Sequence, residues 1–213
     1  MENSLSTPQG SEAWKLRRAG KATASRIADI CRKTKSGYST SRKNYEAQLI
    51  CERLTGTVAE SFTNAAMQWG TEKEPEAIAA YELSRDLDTT KIDFVDHPSI
   101  AMAGASPDRL VGDDGLVEAK CPNTATHLET LLSGEVDEDY ITQMQWQMAC
   151  TGRQWTDFIS FDPRLPAHLQ LFVKRIPRDQ RRIIELESEV SSFLRELEHK
   201  IARLPQAPKD IAA

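Results

Sequence analysis

No stretch of this sequence stays apolar for long enough to cross a bilayer, and its first residues, MENSLSTPQG, lack the apolar core of a secretion signal. Membrane insertion and export are not expected, and a cytoplasmic location is. Cysteine is scarce: Cys31, Cys51, Cys121 and Cys150 lie far apart, form no C-x-x-C pair and have no zinc-type histidine pairing beside them. A structural zinc site and a disulfide framework are thereby excluded, and the four thiols are expected to be reduced and buried. Cys121 has no evident histidine partner, so it is set aside as a nucleophile. Positive charge is in deficit too, with a net charge of −5, which taken alone counts against a nucleic-acid partner. No internal repeat is present.

The positive charge that exists is concentrated. Between Lys15 and Lys43 there are ten lysines and arginines against one acid, Asp29. A basic segment on an acidic body suggests a local site for a polyanion, although a solvated basic helix and loop gives the same pattern. With 213 residues, 39% hydrophobic and 28% charged, the chain reads as one soluble domain spanning 1–213, with 1–11 and 204–213 as loose tails.

The rest of the chain is organised around Ser106–Cys121, SPDRLVGDDGLVEAKC. Arg109-Leu110-Val111 and Leu116-Val117 are short apolar runs on either side of Gly112-Asp113-Asp114-Gly115, the composition of a hairpin turn. Such a hairpin sets Asp108 beside Glu118 and Lys120 on the neighbouring strand. Residues two apart in a strand leave the same face, so Glu118 and Lys120 project together. Mg²⁺ prefers oxygen ligands and takes one or two carboxylates with water and substrate phosphate. Asp108 and Glu118 meet that need, with the backbone carbonyl of Ala119 as a further ligand. An ammonium at Lys120 would orient or deprotonate a water and stabilise phosphoryl charge. If it acts as the base, its amine must be neutral part of the time, and alkaline pH should favour the reaction.

Around this hairpin the periodicity predicts helices at about 23–32, 41–54 and 63–83, a short one after Thr124 or Thr126, one at about 137–151 and a long amphipathic one at 178–203. Strands are predicted within 91–105, at 155–161 and at 169–174. Together these describe an α/β domain with a central mixed sheet flanked by helices. Glu72, Glu74 and Glu76 offer a third acidic group, and Pro75 suits a helix first turn. Gln143 stands one helical turn from Gln147.

These residues resemble, in order along most of the chain, the phage lambda exonuclease group, the YqaJ-like viral recombinase nucleases of the PD-(D/E)xK superfamily. The likeness is carried by Trp14, Arg18 and Thr23-Ala24-Ser25, by Trp69-Gly70 with Glu74, by Ser106-Pro107-Asp108 with Glu118-Ala119-Lys120-Cys121-Pro122, by Gln143-Met144-Gln145, and by Asp162-Pro163-Arg164. The resemblance implies a restriction-endonuclease-like core and an exonuclease that digests linear duplex DNA from a 5′-phosphorylated end, leaving a 3′ single strand for a single-strand annealing recombinase. It implies two Mg²⁺ ions, with Mn²⁺ as the alternative, bound by Asp108, Glu118 and the Ala119 carbonyl. Lys120 would be the catalytic lysine. Glu74 would assist at the metal and Gln143 would hold the site. Arg18 and Ser25 would take the 5′-phosphate. Met67 would be a strand-separating wedge, a buried core methionine being its other reading. His127 has no clear counterpart in the family. A ring-shaped homotrimer is implied as well, enclosing the duplex. A structure-specific or restriction-type endonuclease on the same core, and an inert DNA-end-binding scaffold, are the rival readings.

Overall fold

A computed structural model describes residues 9–58 and 64–205. Most of both expected tails, 1–8 and 206–213, lies outside the described residues. The chain opens with α1 (Glu12–Arg18), whose end is capped by the Ser11 side chain accepting from the Trp14 amide at 3.2 Å. Then come β1 (Ala22–Thr23), a single 3₁₀ turn at Ala24–Arg26 and α2 (Ile27–Cys31). A small exposed hairpin, β2 (Lys33–Thr34) and β3 (Gly37–Tyr38), leads into α3 (Thr40–Thr55), which stops at Gly56 in the left-handed conformation.

The helix α4 (Ala65–Arg85) is capped by Asn64 and carries Pro75 near its middle. This corrects the first-turn reading of Pro75 and, with it, the placing of Glu72, Glu74 and Glu76 at a helix start. An interior proline removes one helix hydrogen bond and costs about 3 kcal/mol or more. Burial of Ala77, Ile78 and Tyr81 against the sheet holds the following turns helical.

Of the region 91–105, only β4 (Val95–Asp96) and β5 (Ala103–Ala105) are strands. They join β1 in a three-stranded sheet of order β1-β5-β4 that stands apart from the main one. The main sheet is made by β6 (Arg109–Val111), β7 (Gly115–Lys120), β8 (Trp155–Phe161) and β9 (Leu171–Pro177), in that order. β7 and β8 run parallel and the outer pairs antiparallel. The crossover between β7 and β8 contains α5 (Thr124–Ser133) and α6 (Glu138–Thr151), as a parallel pair requires. Asn123, not a threonine, caps α5, and Asp137 caps α6. The last helix among the described residues, α7 (Gln180–Arg203), starts at the Asp179 cap.

Two layers of apolar packing cover the sheet. On one face Ala77, Ile78 and Tyr81 of α4 meet Val111, Val117, Ile159 and Phe161. On the other, Leu116 meets Met148 and Ala149, while Phe158 meets Met144. Behind α6, a larger cluster joins α2, α3, α6 and α7 through Ile27, Tyr45, Leu49, Trp146, Val190 and Phe193. α6 is therefore a central helix, buried between the sheet and the helical layer, and its residues nearest β7 reach the hairpin from within. All four cysteines are free thiols. Cys121 and Cys150 are buried as expected, whereas Cys51 is exposed on the outer face of α3 and Cys31 is half-buried. No described helix is long and apolar enough to cross a membrane.

Candidate active site

The strand period decides which residues of β7 meet which helix. Leu116, Glu118 and Lys120 leave one face, toward α6, while Val117 and Ala119 leave the other, toward α4. Arg109 pairs with Val117, so the same antiparallel register carries Asp108, one residue ahead of β6, opposite Glu118. Asp108 Oδ2 accepts a hydrogen bond from the Ala119 amide at 2.8 Å. In a strand the N–H and C=O of one residue point to the same edge. The Ala119 carbonyl thus faces the edge where β6 has ended, beside Asp108.

Glu118 is buried and held by three donors. Lys120 Nζ and Gln143 Nε2 each donate to Oε1 at 2.6 Å, and Gln147 Nε2 donates to Oε2 at 2.6 Å. One turn of α6 separates the two glutamines. Lys120 Nζ also lies 4.9 Å above the Tyr140 ring. Burial opposes the charge on Lys120, but the carboxylates of Glu118 and Asp108 outweigh it and lift its pKa above the ordinary lysine value. In the absence of a bound cation, Glu118 and Asp108 thus favour the ammonium form of Lys120. Cys121 is no nucleophile here, since burial, reinforced by the Glu74 and Asp108 charges, pushes its thiol up to about 12.

Asp108 titrates well above a normal carboxyl, first because it is buried and then because Glu118 and Glu74 are anionic neighbours. Glu74 comes from α4, across the sheet from α6. Its Oε1 lies 3.5 Å from Arg109 Nη1, and burial raises its pKa against the pull of Arg109. Three carboxylates, Asp108, Glu118 and Glu74, thus share two cations, Lys120 and Arg109. Such a donor set fits a hard divalent cation bound by Asp108, Glu118 and the Ala119 carbonyl. No cluster of three or more acidic, histidine or cysteine side chains suited to a metal occurs among the described residues.

The basic segment arrives at the same place. Trp14 Nε1 donates to Ser106 Oγ at 3.1 Å, tying α1 to the segment before Asp108, and the Arg18 guanidinium lies 3.9 Å over the Trp14 ring. Burial draws the Arg18 pKa down from its usual value, yet arginine keeps its charge. Arg18, Ser25, Ser106, Asp108, Glu118, Lys120 and Gln143 together line a cleft of about 190 Å³.

Other expectations resolve differently. Met67 lies on the first turn of α4, 50% exposed, so it is not a core residue, and it is not among the residues lining this cleft. His127 is fully buried: Nε2 donates to the Leu169 carbonyl at 2.9 Å, and Nδ1 pairs with Ser160 Oγ at 2.7 Å. It is a structural histidine between α5 and β8, with no access to a phosphate. Of Glu72, Glu74 and Glu76, only Glu74 reaches the site, through Arg109, since Glu72 and Glu76 are exposed. Gln147 and Arg109 were not anticipated as site residues. The four-residue spacing of Gln143 and Gln147 was the available signal for the first, and nothing in the sequence indicated the second.

Just beyond Lys120, the Asp162 loop fixes the end of the strand. Arg164 binds the buried Asp162 carboxylate with Nε at 2.7 Å and Nη2 at 3.0 Å, donates to the Pro122 carbonyl at 3.2 Å and stacks 4.5 Å over Trp69. Burial raises the Asp162 pKa, but hydrogen bonds from Arg164 and Thr124 outweigh that and bring it down to about 2. A depressed carboxyl stabilises the fold above its unfolded pKa, and that stability is lost as pH falls from about 4 toward 2. Asp162→Asn is expected to lose about 1–2 kcal/mol at neutral pH, the half-exposed Arg164 screening the pair. Its melting temperature should then vary less than that of the wild type between pH 4 and 2. Parallel thermal melts over that range check this.

Comparison with known proteins gives a consistent picture. Residues 13–154 match the YqaJ-like viral recombinase domain. The crystal structure of an alkaline exonuclease (LHK-Exo) from Laribacter hongkongensis is 55% identical, over 90% of this chain and 95% of that one, with a TM-score of 0.85. Its complex with dAMP matches equally well. A phage-related exonuclease from Haemophilus somnus 129PT shares the fold at 18% identity, with a TM-score of 0.69 over 87% of this chain and 96% of that one. No curated protein matches the chain.

Proposed function

The chain belongs to the YqaJ-like viral recombinase family, and from that footing we propose a Mg²⁺-dependent exonuclease that digests linear double-stranded DNA from 5′-phosphorylated ends. The product is a 3′-ended single strand for a single-strand annealing recombinase. A deoxyribonuclease follows from kinship with the 55% identical alkaline exonuclease. That relative's complex with dAMP is one with a deoxynucleoside monophosphate, the product class that exonucleolytic digestion releases. The observation that carries the finer reading is that Arg18 and Ser25 line the same cleft as Asp108, Glu118 and Lys120. An arginine and a hydroxyl suit a terminal phosphate, and beside them stands the hydrolytic set.

Asp108, Glu118 and the Ala119 carbonyl would hold the cation, with Glu74 assisting. When bound, a pair of divalent ions supplies Lewis acidity at the phosphoryl oxygens and a water of lowered pKa. The chain's own groups do the rest. Gln143, Gln147 and Lys120 keep the Glu118 carboxylate from rotating. The Ala119 amide fixes Asp108. The Lys120 ammonium donates to the attacking water or to phosphoryl oxygens as charge builds on them. Activity is expected to fall as pH drops through the raised Asp108 pKa, because a protonated carboxyl is a poor ligand. Glu118 and Asp108 favour the ammonium form of Lys120 in the absence of the ion, and a bound cation, by offsetting those carboxylates, would lower its pKa toward a form able to accept a proton from the attacking water.

We also propose that the enzyme acts as a ring-shaped homotrimer, enclosing a duplex that its net charge of −5 would otherwise hold poorly. Solution mass tests this directly.

Digestion of linear duplex with 5′-phosphate or 5′-hydroxyl ends, with closed circular DNA alongside, tests the end-dependent reading. The phosphorylated substrate should be degraded fastest and the circle left intact. Arg18→Ala should slow digestion of the phosphorylated end by about 10–100-fold, as expected for loss of hydrogen bonds to a charged group, and erase the difference between ends. Cutting of the circle would instead make the protein an endonuclease.

A further inference from the structure

Gln147 is the most deeply buried polar side chain at the site, at 0% exposure, and it is only half satisfied. Its Nε2 donates to Glu118 Oε2 at 2.6 Å, while its Oε1 has no hydrogen-bond partner among the described residues. A buried acceptor left unpaired costs stability, and native proteins retain few of them. An apolar side chain of the same shape would avoid that cost. Met144 and Met148, close by on the same helix, are of that kind and fully buried. The amide at 147 therefore has to be explained by what its nitrogen does.

A carboxylate offers about four lone-pair positions, two on each oxygen. On Glu118, Lys120 and Gln143 occupy both positions of Oε1, and Gln147 occupies one of the two on Oε2. One position is left, on Oε2. With Lys120 and Gln143 alone, the Oε2 side would be free to swing and to offer two lone pairs. Gln147 removes that freedom.

We infer that Gln147 is a positioning residue that makes Glu118 a one-oxygen ligand, fixing the Oε2 lone pair presented to a divalent cation while its own unpaired Oε1 is a stability cost of that task. The inference rests on the proposed metal site. It predicts a modest response in the fold and a large one in ion binding. Gln147→Met sheds one unpaired acceptor but leaves the buried Glu118 Oε2 without its donor, so the metal-free melting temperature should fall by about 2–10 °C. The binding of Mg²⁺ or Mn²⁺ should weaken about 10–100-fold, as for other residues that orient a metal ligand.

Isothermal titration of the full-length chain with each ion, with melting curves in chelator and in excess ion, reads both. Gln147→Asn keeps the amide but is one methylene too short to reach Glu118, and it should weaken the ion as much as Gln147→Met. Unchanged ion affinity in either folded variant would overturn the inference while leaving the metal site standing. So would failure of both variants to fold, which would make Gln147 a structural residue. If the wild type bound neither ion, the metal site and this inference would fall together.

Discussion

Lys120→Ala is expected to lower the rate of DNA hydrolysis by about 10²–10⁴-fold, the loss typical of removing a positioned proton donor or charge stabiliser. Its metal affinity, by contrast, should hold or rise. The wild-type cluster sets Asp108, Glu118 and Glu74 against Lys120 and Arg109. Deleting Lys120 leaves three carboxylates with one cation, so a divalent ion becomes more welcome even as chemistry slows. Without the ion, the variant should be less stable by about 3–5 kcal/mol, the loss seen when one partner of a buried ion pair is removed. Adding Mg²⁺ should recover most of it. Initial rates at saturating Mg²⁺, with melting curves in chelator and in Mg²⁺, check both halves. Loss of rate together with loss of ion binding would give Lys120 a merely structural role.

Trp146→Ala should cost about 3–5 kcal/mol of stability whether or not an ion is present, as for other buried aromatic truncations, or about 6–20 °C in melting temperature. Trp146 is fully buried in the cluster joining α2, α3, α6 and α7. Its ring stacks on His97 at a centroid distance of 4.9 Å, and its Nε1 donates to the Gly104 carbonyl at 3.3 Å, which ties α6 to β5. Truncation opens a cavity, unpairs that carbonyl and removes the face on which His97 rests. The same helix presents Gln143 and Gln147 to Glu118, so activity should fail at lower temperature than in the wild type. Leu83→Ala, at a side chain 87% exposed, should change stability by no more than about 0.5 kcal/mol. Chemical and thermal denaturation of the two variants side by side distinguish packing from substitution in general.

What the sequence made legible follows from how local each signal is. The hairpin, β8, α6 and α7 were readable because turn glycines, strand alternation and the 3.6-residue period act within one element. Asp108, Glu118 and Lys120 were readable for the same reason, since a single hairpin and a period of two bring them together. Gln143 and Gln147 were visibly one turn apart, but their target is set by the packing of α6 on β7, a contact between distant parts of the chain. Pro75 misled because its local preference is for a first turn, while burial of Ala77, Ile78 and Tyr81 carries the helix through it. The segment 91–105 looked like part of the central sheet, yet β4 and β5 pair with β1, some 80 residues earlier in the chain. Arg109 resembled an ordinary strand residue until α4 brought Glu74 beside it. His127 and Met67 turn on burial and exposure, which no local pattern encodes: burial makes His127 structural, and exposure removes Met67 from the core.

In the proposed reading one cleft, built from Asp108, Glu118, Lys120, Arg18 and Ser25, hydrolyses DNA from its 5′ ends. It is tested most directly by a linear duplex with 5′-phosphate ends, labelled near the 5′ end of one strand and the 3′ end of the other, digested in Mg²⁺ by the wild type and by Glu118→Gln. The wild type should release the 5′-proximal label first, and Glu118→Gln should release neither label. Release of the 3′-proximal label first, or digestion by Glu118→Gln at the wild-type rate, would contradict that reading.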